Sequence, residues 1–251
     1  MVQIYKTKIG LISYLSVIKI AMRILVVVAT KEEVMPLISE SGIAISEIGG
    51  DQKPEPFNNK SEVEILKSEI LITGVGMVAT AFALGRHLAT NKYDLVVNLG
   101  IAGSFDRGIA EGELLEITED TLAELGAEDG DEFIPVAGLG FGESTFYPST
   151  KLADLYNLFN TFNLRQATAI TVNTVHGSAA SINKVAARLN VQLESMEGAA
   201  FFYACKQMGV PCIQIRAVSN YIEKRNRDNW KIGLAIKNLN TFAVKFLKLY
   251  A

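Results

Sequence analysis

Two patterns of hydrophobic residues alternate along most of the chain: continuous apolar runs and apolar residues at helical spacing. Continuous runs rich in Val, Ile and Leu predict buried strands at 23–29, 69–76, 94–104, 166–172, 191–196 and 211–219, with weaker strands at 113–118 and 131–135. Apolar residues at helical spacing predict helices between them, at 31–40, 77–89, 151–159, 178–189, 198–208 and from about 228 to 249. Non-alternating strands separated by helices are typical of a mostly parallel sheet that is covered on both faces.

The order of these elements predicts an α/β fold, a single-domain three-layer αβα architecture with a mostly parallel mixed central sheet. We expect the domain to span residues 22–251, because no repeat or linker-like tract divides that span. Residues 1–21 form an interrupted apolar stretch, and the first strand-like segment begins just after it. We therefore expect 1–21 to be an N-terminal extension from a misassigned start, with little role in the fold. A loop or hairpin is expected at 49–61.

Composition narrows the function classes. Hydrophobic residues make up 49% of the chain and charged residues 20%, which is enough apolar material for a large core. A formal net charge of −3 gives no electrostatic basis for binding nucleic acid or an anionic membrane. Two cysteines and two histidines are too few for a disulfide framework or a histidine-based metal site. We expect a cytoplasmic protein with a small-molecule ligand, no metal and no other cofactor.

Polar side chains follow several predicted strands, at the sheet edge where α/β folds bind ligands. Glu33, Glu197 and Asn220 each come just past a strongly apolar segment. By position alone, a helix N-cap or a solvated turn explains each of them more simply than a binding site does. The glycine-containing loops at 74–76 and 100–103 match neither the P-loop nor the complete dinucleotide fingerprint. They serve either as close ligand contacts or as tight strand-to-helix turns.

Five segments carry a family resemblance: "MRILVVVATKEEV", "TGVGMVATA", "VVNLGIAGS", "SMEGAAF" and "RAVSN". In this order and spacing they resemble the nucleoside phosphorylase/nucleosidase superfamily from residue 22 onward, and they look closest to its hydrolytic branch. "ESMEGAAFFYAC" and "SNYIEKRNRDNW" resemble a subfamily that cleaves a hypoxanthine nucleoside with a benzoate at its far end. The resemblance implies an enzyme that hydrolyses an N-glycosidic bond and assembles as a homodimer or a larger homo-oligomer.

The resemblance also implies roles for three catalytic residues. Glu33 matches the residue that orients and deprotonates the attacking water, and Glu197 matches the one that holds the ribose hydroxyls. Asn220 matches the residue that faces N7 and the six-position of the purine. The chemistry fits these types, because bond cleavage builds positive charge on the ribose, and a carboxylate near the sugar stabilises that charge in the transition state.

A second group of residues is implied to bind the substrate: Thr73, Val175, His176, Met196, Arg216, Ser219, Arg225 and Arg227. Thr73 and Arg216 would support the water site. Met196 would pack on the sugar, and Ser219 would support the loop at the purine. Val175 and His176 would wall the base, although a partly buried turn histidine is an equally good explanation of His176. The last two arginines would face the benzoate carboxylate, unless they belong to a solvated loop.

The amide of Asn220 predicts the base. Its carbonyl can accept a hydrogen bond from a protonated N7 while its NH₂ group donates to O6 of a 6-oxopurine. An aspartate would suit the amino group of adenine instead. Because an amide can flip, Asn220 alone does not exclude adenine. A nucleosidase for adenine thioethers therefore stays open as an alternative. A non-catalytic nucleoside-binding protein is a further alternative, against which the presence of both Glu33 and Glu197 argues.

The nucleophile is predicted from the loop after the first strand. Phosphate is bound by arginines, which neutralise its charge, and a phosphorylase is the remaining alternative. The loop "ATKEEV" offers a carboxylate and no arginine, and we expect Arg86, far along its helix, to lie at the surface. Water is therefore the predicted nucleophile.

Overall fold

The structure is a computed structural model that describes residues 22–41, 43–47, 68–149 and 162–250. Three expectations lie outside the described residues: the extension at 1–21, the loop at 49–61 and the helix at 151–159. The other predicted strands and helices all fall within the described ranges, and each is present there.

The described strands are β1 (Ile24–Val28), β2 (Ala44–Glu47), β3 (Glu69–Ile72), β4 (Leu95–Ser104), β5 (Leu114–Leu122), β6 (Gly126–Asp129), β7 (Glu132–Pro135), β8 (Thr145–Phe146), β9 (Arg165–Thr171), β10 (Leu193–Ser195) and β11 (Cys212–Tyr221). The described helices are α1 (Met35–Ser41), α2 (Met77–Thr90), α3 (Ala179–Arg188), α4 (Gly198–Met208) and α5 (Ile232–Tyr250). Within the described ranges, none of the helices is both long and apolar enough to cross a bilayer.

Nine of these strands form one mixed sheet in the order β10-β9-β5-β11-β4-β1-β3-β2, with β8 beside β5. Six of the pairings are parallel, and β5–β11, β5–β8 and β10–β4 are antiparallel. The β10–β4 pairing closes β10, β9, β5, β11 and β4 into a ring of five strands. The mostly parallel mixed sheet is therefore confirmed, and the ring is an addition to it.

Helices cover both faces of the sheet. Ile24, Val26 and Val28 of β1 lie in the core that contains residues of α1 and α5. Leu25 and Val27 lie in the core that contains residues of α2 and α4. Because successive strand residues point to opposite faces, a strand buried on both faces is apolar at every position. This is why β1 appears in the sequence as an unbroken hydrophobic run, and it confirms the three-layer αβα class.

Three strands and several boundaries differ from the sequence prediction: β3 ends at Ile72 rather than 76, α1 begins at Met35 rather than 31, and β5 extends to Leu122 rather than 118. β2, β6 and β8 were not predicted, because they are short and carry no continuous apolar run. The last helix begins at Ile232 rather than near 228. The Asn226 side chain accepts a hydrogen bond from the Asp228 backbone N–H at 3.2 Å, which caps a separate 3₁₀ turn at Arg227–Asn229. The glycines at 100–103 lie inside β4, which is paired by β11 and β10 as far as Ser104.

Candidate active site

A cavity of about 390 Å³ opens at the carboxyl ends of β1, β4, β10 and β11. Eight of the eleven predicted site residues line it: Glu33, Val175, His176, Met196, Glu197, Ser219, Asn220 and Arg225. The structure does not bring Thr73, Arg216 or Arg227 to its lining. Sequence analysis missed several of the residues that line it, including Ile101, Glu194, Ile222, Glu223 and Trp230.

Glu33 is buried in the turn between β1 and α1. Its Oε2 accepts hydrogen bonds from the backbone N–H groups of Ala29 at 3.1 Å and Thr30 at 3.0 Å, and its Oε1 accepts from Ile101 N at 3.2 Å. Asn240 of α5 fixes this turn, donating to Glu33 O at 2.8 Å. These contacts hold both carboxylate oxygens without involving a positively charged side chain.

Burial raises the pKa of Glu33 above its ordinary value of 4.5. The Thr30 backbone N–H and the positive charge of Arg216 oppose this rise, and the negative charge of Glu197 adds to it. A carboxylate whose pKa is raised toward neutrality accepts a proton from water more readily than an ordinary one. Glu33 is thus suited to a general base.

Arg216 lies directly behind Glu33 and is almost fully buried. A Cβ atom added to Gly100 would fall 1.8 Å from Arg216 Nη1 and 3.2 Å from Glu33 Oε1. The missing side chain of Gly100 therefore lets the guanidinium come close to the carboxylate. Arg216 Nη2 donates to Asn98 Oδ1 at 2.6 Å, and Nε is buried with no hydrogen-bond partner among the described residues. Arg216 acts on the cavity through its charge on Glu33 rather than by lining it.

Glu197 is held by the loop before α2. Its Oε1 accepts a hydrogen bond from Gly76 N at 3.0 Å, and its Oε2 accepts from Met196 N at 3.2 Å. Gly76 has φ +95°, a backbone conformation that L-residues with side chains rarely adopt, and its N–H donates to Glu197 from this conformation. The hydroxyl of Thr73, in the same loop, lies 2.9 Å from Gly74 O. Thr73 therefore faces its own loop rather than the cavity.

A buried chain of hydrogen bonds links Arg216 to the first turn of α4. Arg216 Nη2 donates to Gln214 Oε1 at 3.2 Å, and Gln214 Nε2 donates to Asp120 Oδ2 at 2.8 Å. The Thr171 hydroxyl donates to Asp120 Oδ1 at 2.8 Å and accepts from Ala199 N at 2.7 Å. Asp120 thus connects Arg216, whose charge acts on Glu33, to the first turn of α4, which directly follows Glu197.

The buried carboxyl group of Asp120 is expected to make the stability of the protein depend on pH. Burial raises its pKa to about 6, while hydrogen bonds from Gln214 and Thr171 oppose the rise. The folded protein therefore keeps a proton that the unfolded chain releases near pH 4, so this group makes stability fall as pH rises from about 4 to about 6, by about 3 kcal/mol.

The variant Asp120→Asn cannot titrate and is expected to lack this contribution. The free energy of unfolding, measured by denaturant melts at about pH 4.5, 5.5 and 6.5, should fall more steeply for the wild type than for the variant. Parallel pH dependences for the two proteins would contradict the assignment.

A β-bulge directs Asn220 into the cavity. Val218 of β11 pairs with Ala102 of β4, whereas Asn220 pairs with Gly103, so Ser219 is an extra residue in β11. Ala102 and Gly103 are successive residues that face opposite sides of the sheet, and Val218 and Asn220 therefore do so too. Without the bulge, alternation along the strand would place both side chains on the same side.

The amide of Asn220 has a defined orientation. Its Nδ2 donates to Tyr221 O at 3.0 Å, and the Ser219 hydroxyl donates to its Oδ1 at 2.8 Å. A backbone carbonyl can only accept, so the contact with Tyr221 identifies the nitrogen of the amide. An ionised aspartate at this position would set an oxygen against that carbonyl.

Glu194 holds the loop that carries Val175 and His176. Its side chain is 2% exposed, and its Oε1 accepts from the His176 backbone N–H at 2.8 Å. Its Oε2 contacts His176 Nδ1. A carboxylate in the middle of a buried strand is uncommon, so Glu194 within the predicted strand at 191–196 was the signal in the sequence for this contact.

The far side of the cavity contains Arg225 and Trp230. The Arg225 guanidinium carbon lies 4.8 Å from the centroid of the Trp230 ring. Arg227 is exposed in the 3₁₀ turn and Arg86 is exposed on α2, as predicted for Arg86. Among the described residues that line the cavity, Arg225 is the only lysine or arginine, against five carboxylates: Glu32, Glu33, Glu194, Glu197 and Glu223.

Comparisons with known proteins place the chain in context. Residues 23–250 match the phosphorylase superfamily. The futalosine hydrolase of Streptomyces coelicolor is 38% identical over 177 residues, which cover 68% of this chain and 74% of that protein.

Two solved structures share the fold. The 5'-methylthioadenosine/S-adenosylhomocysteine nucleosidase of Helicobacter pylori superimposes with a TM-score of 0.72 at 18% identity, covering 91% of this chain and 98% of that one. The futalosine hydrolase of Helicobacter pylori strain 26695 gives a TM-score of 0.71 at 18% identity, covering 89% and 96%.

Proposed function

Because the chain belongs to the phosphorylase superfamily, we propose that it hydrolyses the N-glycosidic bond of futalosine, releasing hypoxanthine and dehypoxanthine futalosine. We further propose that this reaction is a step of the alternative menaquinone pathway and occurs in the cytoplasm. The observation that carries this proposal is the buried Glu33, held by backbone N–H groups at the edge of a cavity that also contains Glu197 and Asn220.

The charges of the cavity favour water over phosphate. A phosphate dianion needs several cationic donors, whereas the described lining offers five carboxylates and one arginine. Glu33 takes the proton of the attacking water, and the positive charge of Arg216 favours the ionised form of the carboxylate against the effect of burial. Glu197 accepts hydrogen bonds from the ribose hydroxyls and stabilises the positive charge that develops on the sugar.

The orientation of the Asn220 amide supports a 6-oxopurine. The second hydrogen of Nδ2 is free to donate to O6, because Tyr221 O takes only one of the two. Oδ1 has a second lone pair for a protonated N7, since Ser219 uses one. The same amide presents a donor where the amino group of adenine also presents one, which disfavours adenine thioethers as substrates.

The far end of futalosine carries a carboxylate, and Arg225 is the cation that the cavity presents to it. The Trp230 ring beside this arginine offers an apolar face for the aromatic part of the substrate. Arg227 is not part of this contact in the described cavity.

The proposed assembly is a homodimer or a larger homo-oligomer. Val78 is 78% exposed and Phe82 is 63% exposed, one turn apart on α2, so they form an apolar patch suited to a second copy of the chain. Tyr147 is 58% exposed and lies outside the cavity of its own chain, which leaves it available to a neighbouring one.

Base release from futalosine tests the function. Purified protein in phosphate-free buffer is expected to release hypoxanthine, measured by chromatography. We expect kcat/KM for futalosine to exceed that for its 6-amino counterpart by about 100-fold or more, because the amide matches one base and opposes the other. The matched variant Asn220→Asp should reduce this preference. Cleavage of methylthioadenosine with no action on futalosine would overturn the proposal.

A further inference from the structure

We infer that His176 reads the N1 edge of the purine as a hydrogen-bond acceptor, and that Glu194 is the positioning residue that sets the histidine in this state. The inference rests on the proposed function and deepens it. It assigns a second determinant of base specificity, on the wall of the cavity opposite Asn220.

The strand pairing places the two determinants on either side of one glycine. Gly103 of β4 is paired with Asn220 of β11 on one side and with Glu194 of β10 on the other. Since neighbouring strands are about 4.8 Å apart, the backbones of Asn220 and Glu194 are separated by roughly 10 Å. Gly103 lines the cavity between them and presents only backbone. A flat bicyclic base fits this gap edge to edge.

A side chain at Gly103 would obstruct that space. An added Cβ would lie 2.9 Å from Ile222 Cγ1 and 3.3 Å from Asn220 Nδ2. The glycine is therefore required where the base is expected to lie, between the amide and the histidine.

Glu194 determines which nitrogen of His176 carries hydrogen. Its two oxygens contact the His176 backbone N–H and the ring Nδ1. An ionised carboxylate has no hydrogen to donate, so the hydrogen in this contact belongs to Nδ1. In the neutral ring, whose single hydrogen is then on Nδ1, Nε2 carries a lone pair, and it has no hydrogen-bond partner among the described residues.

The backbone at this position offers no alternative donor. The N–H of His176 is already used by Glu194 Oε1 at 2.8 Å. The wall therefore presents an acceptor, Nε2, and no free donor from His176.

This arrangement distinguishes the two common purines. Hypoxanthine carries a hydrogen on N1, which Nε2 can accept, whereas N1 of adenine is itself a lone pair that Nε2 would oppose. Asn220 donates to the oxo group at the adjacent six-position, so it too favours hypoxanthine over adenine. Asn220 approaches the base from the N7 side and His176 from the N1 side, so the two contacts read adjacent positions of the ring. Each mismatch in a buried site is worth about 10- to 100-fold in selectivity.

The variant Glu194→Gln tests the tautomer. A glutamine amide can accept from the His176 backbone N–H with its oxygen and donate to Nδ1 with its nitrogen, which moves the ring hydrogen to Nε2. The histidine would then present a donor. The ratio of kcat/KM for futalosine to that for its 6-amino counterpart is expected to fall by about 10- to 100-fold. His176→Ala should lower the same ratio less, because it removes the acceptor without adding a donor.

The matched control is Glu124→Gln. Glu124 Oε2 accepts from Asn173 N at 3.0 Å and Nδ2 at 3.2 Å, so it anchors the same loop from outside the cavity. If Glu194 merely stiffens the loop, both variants should raise KM alike with no change of selectivity, and this result would overturn the inference.

A binding experiment with free bases gives an independent readout. Wild type is expected to bind hypoxanthine about 10-fold or more tighter than 1-methylhypoxanthine, which lacks the N1 hydrogen, and His176→Ala should remove this difference. Equal binding of the two bases by wild type would contradict the inference. A wild type that prefers the 6-amino nucleoside would instead refute the proposed function, so the two failures are distinguishable.

Discussion

Replacing Glu33 with glutamine is expected to lower kcat by about 10²- to 10⁴-fold while the substrate still binds. Glutamine keeps the size of the side chain, and its single oxygen can still accept the hydrogen bonds from Ala29 and Thr30, while its NH₂ group replaces the oxygen that accepts from Ile101. It cannot take a proton from water. The loss should therefore fall on the chemical step, with KM changing by much less.

The control for this substitution is Glu116→Gln. Glu116 is also a buried carboxylate whose pKa is raised by burial, but it lies on β5 outside the cavity. Its variant should keep kcat within about twofold of wild type. Equal losses of binding and turnover in Glu33→Gln would contradict its role as the base.

The pH profile adds a second readout for Glu33. Because its pKa is raised, the acid side of the kcat/KM profile should lie above the ordinary carboxylate value of 4.5. Activity should rise with pH through that raised pKa, since the base must be ionised.

Gly198→Ala is expected to destabilise the protein by about 3 kcal/mol and to lower kcat/KM by about 100-fold. A Cβ at this position would lie 2.0 Å from Asp120 Oδ2 and 2.4 Å from Gln214 Oε1. Both neighbours are fully buried, so either the first turn of α4 shifts and carries Glu197 with it, or the Asp120–Gln214 hydrogen bond breaks. The midpoint of thermal unfolding should fall by about 6–12 °C.

Gly85→Ala provides the comparison. Gly85 lies in the interior of α2, where an added Cβ would contact nothing within 4 Å. Alanine is the better helix former by about 1 kcal/mol, so this variant should be as stable as wild type or more stable. If Gly198→Ala proved as well tolerated as Gly85→Ala, the close packing around Asp120 would not be a constraint.

The sequence was sufficient to predict the layers of the fold. The unbroken apolar run of β1 requires burial on both faces, and this leads to a sheet between helices. α4 was predicted with its observed bounds, 198–208, because it has clear apolar spacing and is followed by Gly209, which caps the helix with a φ of +65°. The polar residues after the strands indicated the edge at which Glu33, Glu197 and Asn220 meet.

Three-dimensional pairing supplied what the sequence could not. The bulge at Ser219 depends on register between β11 and β4, and no residue type in "RAVSN" marks it. Arg216 was predicted near the water, but its position behind Gly100 depends on which strand lies beside it. Glu194 and Asp120 are carboxylates within strands, and their partners are distant in sequence, so their roles appear only in the folded chain.

The closed ring of five strands has an evolutionary consequence. Gly103 is hydrogen-bonded into the ring on both sides, so the distance between the Asn220 and Glu194 strands is set by the backbone and is independent of the side chains that they carry. A descendant of this protein could therefore acquire a different base preference through exchanges at positions 194, 176 and 220 without remodelling a loop. Substrate preference on this scaffold is then open to a short series of point mutations at the cavity wall.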